Sequence, residues 1–152
     1  MDTKKVLHIR DDHPYAHEFM SLAIPEYRTN LYQVTYVDVD YSIRDVDSIE
    51  KFCTKYTQLT NLHLFDIILF LILTSTTNFP IYVTSGLIED IKQIYRENNK
   101  QLPKFACVNF SGLNDDLLKQ QQQLFPDFFV DYRKKPVNHF IFEQRWNEFV
   151  NA

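Results

Sequence analysis

Asp66-Ile67-Ile68-Leu69-Phe70-Leu71-Ile72-Leu73 is the stretch that decides the fold. An acid opens it, and no polar residue interrupts the run that follows. A strand with one wet face alternates apolar and polar residues. A short run that is apolar throughout is instead covered on both faces, as the central strands of parallel sheets are. The seven residues Ile67–Leu73 fall well short of the about 20 that a membrane-spanning helix needs. The chain is therefore expected to have no membrane contact.

Upstream, Val6-Leu7-His8-Ile9 ends at Arg10-Asp11-Asp12 and predicts a buried strand. His13-Pro14 starts a helix running to about Ile24, with Phe19, Leu22 and Ala23 as its apolar stripe. Proline fits a first turn because its missing N–H would be unpaired there anyway. Leu31 to Val39 is β-branched and aromatic and predicts a second strand. Asp45 or Asp47 caps a helix in which Ile49, Phe52, Cys53 and Tyr56 recur at helical spacing.

Downstream, Thr74 to Asn78 is a polar loop, and Phe79 to Thr84 is expected to be extended. Leu87 to Asn98 is a helix, with Leu87, Ile88, Ile91, Ile94 and Tyr95 in one stripe. Phe105–Phe110 is a strand. A helix from Asn114 or Asp115 turns Leu117, Leu118 and Leu124 inward and Gln120 to Gln123 outward. Phe128–Tyr132 is the last strand, and Asn138–Phe149 the last helix, with Phe142, Trp146 and Phe149 as a core stripe. Strands alternating with helices imply parallel strands joined by crossovers. The expected architecture is an open, doubly wound α/β domain with a five-stranded parallel sheet spanning residues 1–152.

Composition narrows function. With 152 residues, 45% of them hydrophobic, the chain can fill one core. It has only 2 glycines, which leaves little material for phosphate-cradling loops. A formal net charge of -4 argues against nucleic-acid binding, which starts from a basic face. Cys53 and Cys107 form no CxxC pair and read as buried thiols of a reducing, cytoplasmic compartment. The polar start, Met1 to Lys5, does not resemble a signal peptide.

In a sheet of this kind the functional site lies beyond the carboxyl ends of the strands. The sequence brings Asp11-Asp12, Asn109 or Ser111, and Lys134-Lys135-Pro136 to that edge. The stretches Val6-Leu7-His8-Ile9-Arg10-Asp11-Asp12-His13-Pro14 and Asp127-Phe128-Phe129-Val130-Asp131-Tyr132-Arg133-Lys134-Lys135-Pro136-Val137 resemble the receiver domain of bacterial response regulators. Gly86-Leu87 at the head of a helix and Leu102-Pro103 before a strand extend the resemblance over almost the whole chain.

The resemblance implies a flavodoxin-like fold and a set of roles. The acidic pair of the family holds Mg²⁺, which takes hard oxygen ligands; Asp11 and Asp12 match it. Lys135 matches the phosphoryl-binding lysine before Pro136, and Tyr132 the aromatic that moves during switching. The Lys135–Pro136 bond would be cis, an isomer that only an X–Pro bond adopts at low cost.

The departure lies in the phosphoacceptor. No acidic residue stands between Asp66 and Glu89, and the acceptor position, Leu71 to about Thr76, offers only apolar and hydroxyl residues. Asp66 begins its strand and so belongs to the opposite edge of the sheet. Ser111 falls slightly late for the family's switch hydroxyl, and Asn109 is the other candidate. The stretch from Leu73 to Gly86 is longer than the family's usual loop and is a candidate cover for the site.

Two carboxylates without a third and without phosphate make a poor metal site, so no cofactor is expected. A weakly held Mg²⁺ at Asp11 and Asp12 is the alternative, and Lys135 as their counter-ion is the simpler arrangement. His13 and His17 are read as helix-surface histidines rather than ligands. Ser75, Thr84 and Ser85 lack a visible base partner and a nucleophile elbow.

The expectation is a non-enzymatic pseudo-receiver, a phosphorylation-independent module that binds a protein partner in a signalling pathway. The docking face would be the fourth helix, the fifth strand and the last helix, with Arg133-Lys134 as a docking patch and a homodimer as one outcome. The alternatives are a conventional phosphoacceptor with a displaced acceptor and a small flavodoxin-like nucleotide binder. The second lacks a Gly-rich turn after the first strand.

Overall fold

The computed structural model describes residues 3–11, 19–24, 27, 29–39, 62–72, 79–110, 114–132 and 138–152. Strands β1 (Lys4–Asp11), β2 (Tyr32–Val39), β3 (Ile67–Ile72), β4 (Lys104–Asn109) and β5 (Phe129–Asp131) form one sheet. Its order is β2-β1-β3-β4-β5, and every neighbouring pair is parallel. This is a flavodoxin-like arrangement whose strand order reverses between β1 and β3. The described helices are α1 (Phe19–Ala23), α2 (Phe79–Glu97), α3 (Asp115–Gln123) and α4 (His139–Val150), with a 3-10 turn at Leu62–Leu64.

Every side chain of β3 is buried, as its uniform apolar run requires. Alternation then sorts the side chains into two cores. Val6, Ile67, Leu69, Leu71, Ala106, Val108 and Val130 face α1 and α4. Leu7, Ile9, Ile68, Phe70, Ile72 and Cys107 face α2, with Phe125 just after α3. Each large apolar side chain so buried contributes about 1.5–3 kcal/mol. Phe142, Trp146 and Phe149 of α4 are all buried, as the spacing predicts. Trp146 Nε1 also donates to Tyr32 Oη at 3.1 Å, tying α4 to β2.

Polar anchors fix the amino edge. Tyr95 Oη donates to Phe65 O at 2.7 Å and accepts from Phe65 N–H at 3.0 Å. The end of α2 is thereby held to the segment entering β3. That helix stops through Asn99 at φ 53°, a left-handed turn that asparagine tolerates. Lys104 Nζ donates to the backbone oxygens of Phe149, Val150 and Ala152 at 2.9, 3.1 and 2.7 Å. A cation there complements the negative end of the α4 dipole.

The structure corrects the sequence reading in four places. Phe79 to Thr84 is helical rather than extended, because α2 begins at Phe79. Pro80 falls in the first turn, where the N–H is an orphan anyway. Gly86 accordingly lies inside the helix rather than at its head. Gln121, expected to face outward, is fully buried. Leu22, expected in the α1 stripe, is 61% exposed, while Phe19, Met20 and Ala23 form the buried side. The helix expected after Asp45 or Asp47, the start of the helix at His13, and the Lys135–Pro136 bond lie outside the described residues. Among the described residues, no helix is long and apolar enough to cross a membrane.

Candidate functional site

The register of the sheet assembles its carboxyl edge. Asp11, the last residue of β1, pairs with Val39. Arg10 pairs with Leu71, which puts Asp11 level with Ile72. Ile72 pairs with Asn109, and Asn109 with Asp131. The terminal row therefore reads Val39, Asp11, Ile72, Asn109, Asp131. Its members are spaced by the strand separation of about 4.8 Å.

A hydrogen-bond network holds the β4–β5 end of this row. Asn109 is fully buried, and its Nδ2 donates to Asp131 Oδ1 at 3.3 Å. Its Oδ1 accepts from Gln121 Nε2, also at 3.3 Å. The same Gln121 nitrogen reaches Cys107 Sγ at 3.5 Å. Backbone bonds extend the frame: Phe110 N–H donates to Ile72 O at 2.7 Å, and Tyr132 N–H to Asn109 O at 3.0 Å. The cradle for these side chains is the last turn of β4 and β5 capped by α3, whose own start is fixed by Asn114 Oδ1 accepting from Leu117 N–H at 2.9 Å.

On the other side of the sheet, Tyr132 is packed into an aromatic group. Its ring stacks on Phe110 with centroids 5.0 Å apart and an 18° interplanar angle. Phe19 of α1 meets both rings edge-on, at 5.2 Å each. Phe142 of α4 lies 6.0 Å from Tyr132. Tyr132 is thus seated between β4, α1 and α4.

The expected site residues divide as follows. Asp11, Asn109 and the backbone of Tyr132 share or adjoin the terminal row. Leu71 points into the α1/α4 core with Val6 and Val108 and is fully buried. Asp12, Ser111, Lys135 and Pro136 lie outside the described residues, as do His13 and His17. Chemically, the described end of β3 offers no oxygen ligand, because Phe70, Leu71 and Ile72 are all buried hydrocarbon. Asn109 supplies an amide where the receiver resemblance asks for a hydroxyl. Both ends of that amide are engaged with neighbours. Among the described residues, no group of three or more His, Cys, Asp or Glu could hold a metal ion.

Sequence reasoning missed a second polar group, built on β1. His8 and Arg10 are both buried. Tyr27 Oη and His8 Nδ1 share a hydrogen bond at 3.1 Å. The His8 ring also lies 5.3 Å from the ring of Tyr36, over which the Arg10 guanidinium sits at 4.0 Å. Burial, then the neighbouring Tyr36 and Tyr32, pushes the Tyr27 phenol well above its ordinary value. The signal was the alternation itself: Val6, His8 and Arg10 share one face of β1. Gln121 was also legible, since it stands three or four residues from Leu117, Leu118, Leu124 and Phe125 and so at the centre of the α3 stripe.

No family model, curated protein or solved structure matches this chain.

Proposed function

We propose that this chain is a receiver-like regulatory module that acts by binding another protein, without phosphoryl transfer. The observation that carries the reading is the end of β3. It stands level with Asp11 on one side and Asn109 on the other, yet it is buried hydrocarbon through Ile72. The six residues that follow, Leu73-Thr74-Ser75-Thr76-Thr77-Asn78, contain no carboxylate. An acyl phosphate needs a carboxylate at that place.

Two further observations support it. The Asn109–Asp131–Gln121 network holds the β4–β5 end, and both ends of the Asn109 amide are engaged within it. This reading assigns no metal or other cofactor to the carboxyl edge. Binding is assigned to the face made by α3, β5 and α4. There Phe140 is 75% and Ile141 50% exposed, two neighbouring large apolar side chains on one helix. A cytoplasmic setting goes with this role, since Cys107 is a buried free thiol. With a net charge of -4, nucleic acid is not the partner assigned.

The test is incubation with a small phosphodonor and Mg²⁺, followed by intact mass measurement. The expected spectrum is unchanged. A stoichiometric phosphoryl adduct overturns the proposal.

A further inference from the structure

The two edges of the sheet differ. At one edge β5 is only three residues long. Short edge strands are a common protection against unwanted pairing. At the other edge β2 runs for eight residues. Its register with β1 is unbroken from Tyr32 to Val39, so no bulge bends it away. It contains no proline and no Lys or Arg. Between Gln33 and Val37, no described residue bonds to the outer backbone groups of the strand. Every second residue of a strand paired on one side turns its N–H and C=O outward, which is a template for another strand.

The sequence of this edge indicates what it pairs with. Leu31-Tyr32-Gln33-Val34-Thr35-Tyr36-Val37 carries no charge, in a chain of net charge -4. Two copies of like net charge therefore bring no like charges together along this strip. Antiparallel pairing about a twofold axis at Thr35 sets Thr35 opposite its own copy, Val34 opposite Tyr36, and Gln33 opposite Val37. Asp38, the one charged residue of the strand, comes level with Tyr32 rather than with another acid. Thr–Thr and aromatic–β-branched pairs are favourable cross-strand neighbours. Tyr36, 38% exposed, is already braced from beneath by Arg10 and His8.

We propose that β2 is the seam of a homodimer, in which it pairs antiparallel with the β2 of a second copy about a twofold axis at Thr35. The two sheets then join into one. This assignment is independent of the docking face given above and of the absence of phosphorylation. A seam of one strand buries less than the about 1,200 Å² of standard stable interfaces, so the dimer dissociates on dilution.

Sedimentation equilibrium over a wide concentration range tests the proposal. The expected result is a monomer–dimer equilibrium that Thr35→Lys abolishes, since it sets two ammonium groups face to face at an exposed position. Should Thr35→Lys fail to fold by circular dichroism, cross-linking decides. In a Cys53→Ser background, Thr35→Cys lies about 4.5–5.5 Å from its copy, within disulfide reach, and gives a covalent dimer on mild oxidation. Gln33→Cys, four residues from its own copy, stays monomeric. A monomer at all concentrations overturns the proposal. So does a dimer that Thr35→Lys leaves intact, or cross-linking through position 33 in place of 35.

Discussion

Gln121 Nε2 donates to Asn109 Oδ1 across 3.3 Å, and both side chains are sealed from solvent. The bond ties α3 to the carboxyl end of β4, and through Asn109 it reaches Asp131 at the end of β5. A buried acceptor that loses its donor costs about 1–3 kcal/mol. Gln121→Met keeps the length of the side chain and removes the donor, so it is expected to lower stability by about that amount in urea unfolding. Gln121→Glu brings a carboxylate into the same buried space, facing the Asn109 amide oxygen, and is expected to cost more.

Burial, before any other cause, raises the phenols of Tyr27 and Tyr95 above their ordinary value of 10.0. For Tyr95 the nearby Asp66 adds to the rise, and the bond to Phe65 opposes it. Both groups keep their protons in the folded chain where an unfolded chain would lose them. Their contribution to stability is therefore complete below pH 10.0. It is lost as pH rises from there through the folded values. In an alkaline titration, phenolate absorbance from these tyrosines is expected to appear only with unfolding. Tyr95→Phe is expected to lower stability by about 1–3 kcal/mol at neutral pH, because it strips both partners from Phe65.

Helix α4 should answer oppositely on its two sides. Trp146 is fully buried against Phe128 and Phe149, with centroids at 5.6 Å from each. Trp146→Ala is expected to cost about 3–5 kcal/mol. Phe140→Ser and Ile141→Ser, on the exposed side, are expected to change stability by no more than about 0.5 kcal/mol. Thermal unfolding of the three variants checks the contrast. A large loss from the exposed pair would show that those side chains serve the fold rather than a partner.

How much was legible depended on the kind of signal. The strands were readable because their faces are uniform: β3 is apolar throughout and wholly buried, and β2 alternates at an edge. The start of α2 was misread because Pro80, Ile81 and Val83 carry strand and turn preferences. Those preferences yield when proline falls in a first turn and Thr84 begins a stripe that Leu87, Ile88 and Ile91 continue. Gln121 was misread because the Gln120–Gln123 run looks like a solvated face, although its spacing from Leu117 and Phe125 points inward. Of the candidate site, Asp11, Asn109 and Tyr132 could be placed from strand ends alone. That Asn109 bonds to Asp131 and Gln121 could not be read, since strand register and the packing of α3 on the sheet bring those side chains together. The His8–Tyr27 bond likewise depends on packing between distant segments.

On the reading proposed above, the carboxyl edge of this sheet is not a phospho-switch. Amide NMR spectra with and without Mg²⁺ plus beryllofluoride, a mimic of the phosphoryl group, test it most directly. The expected result is no saturable shift at Asp11, Asn109, Asp131 or Tyr132, since the end of β3 offers the mimic no carboxylate. Saturable shifts confined to those residues would contradict the claim and make this edge a working phosphoryl site.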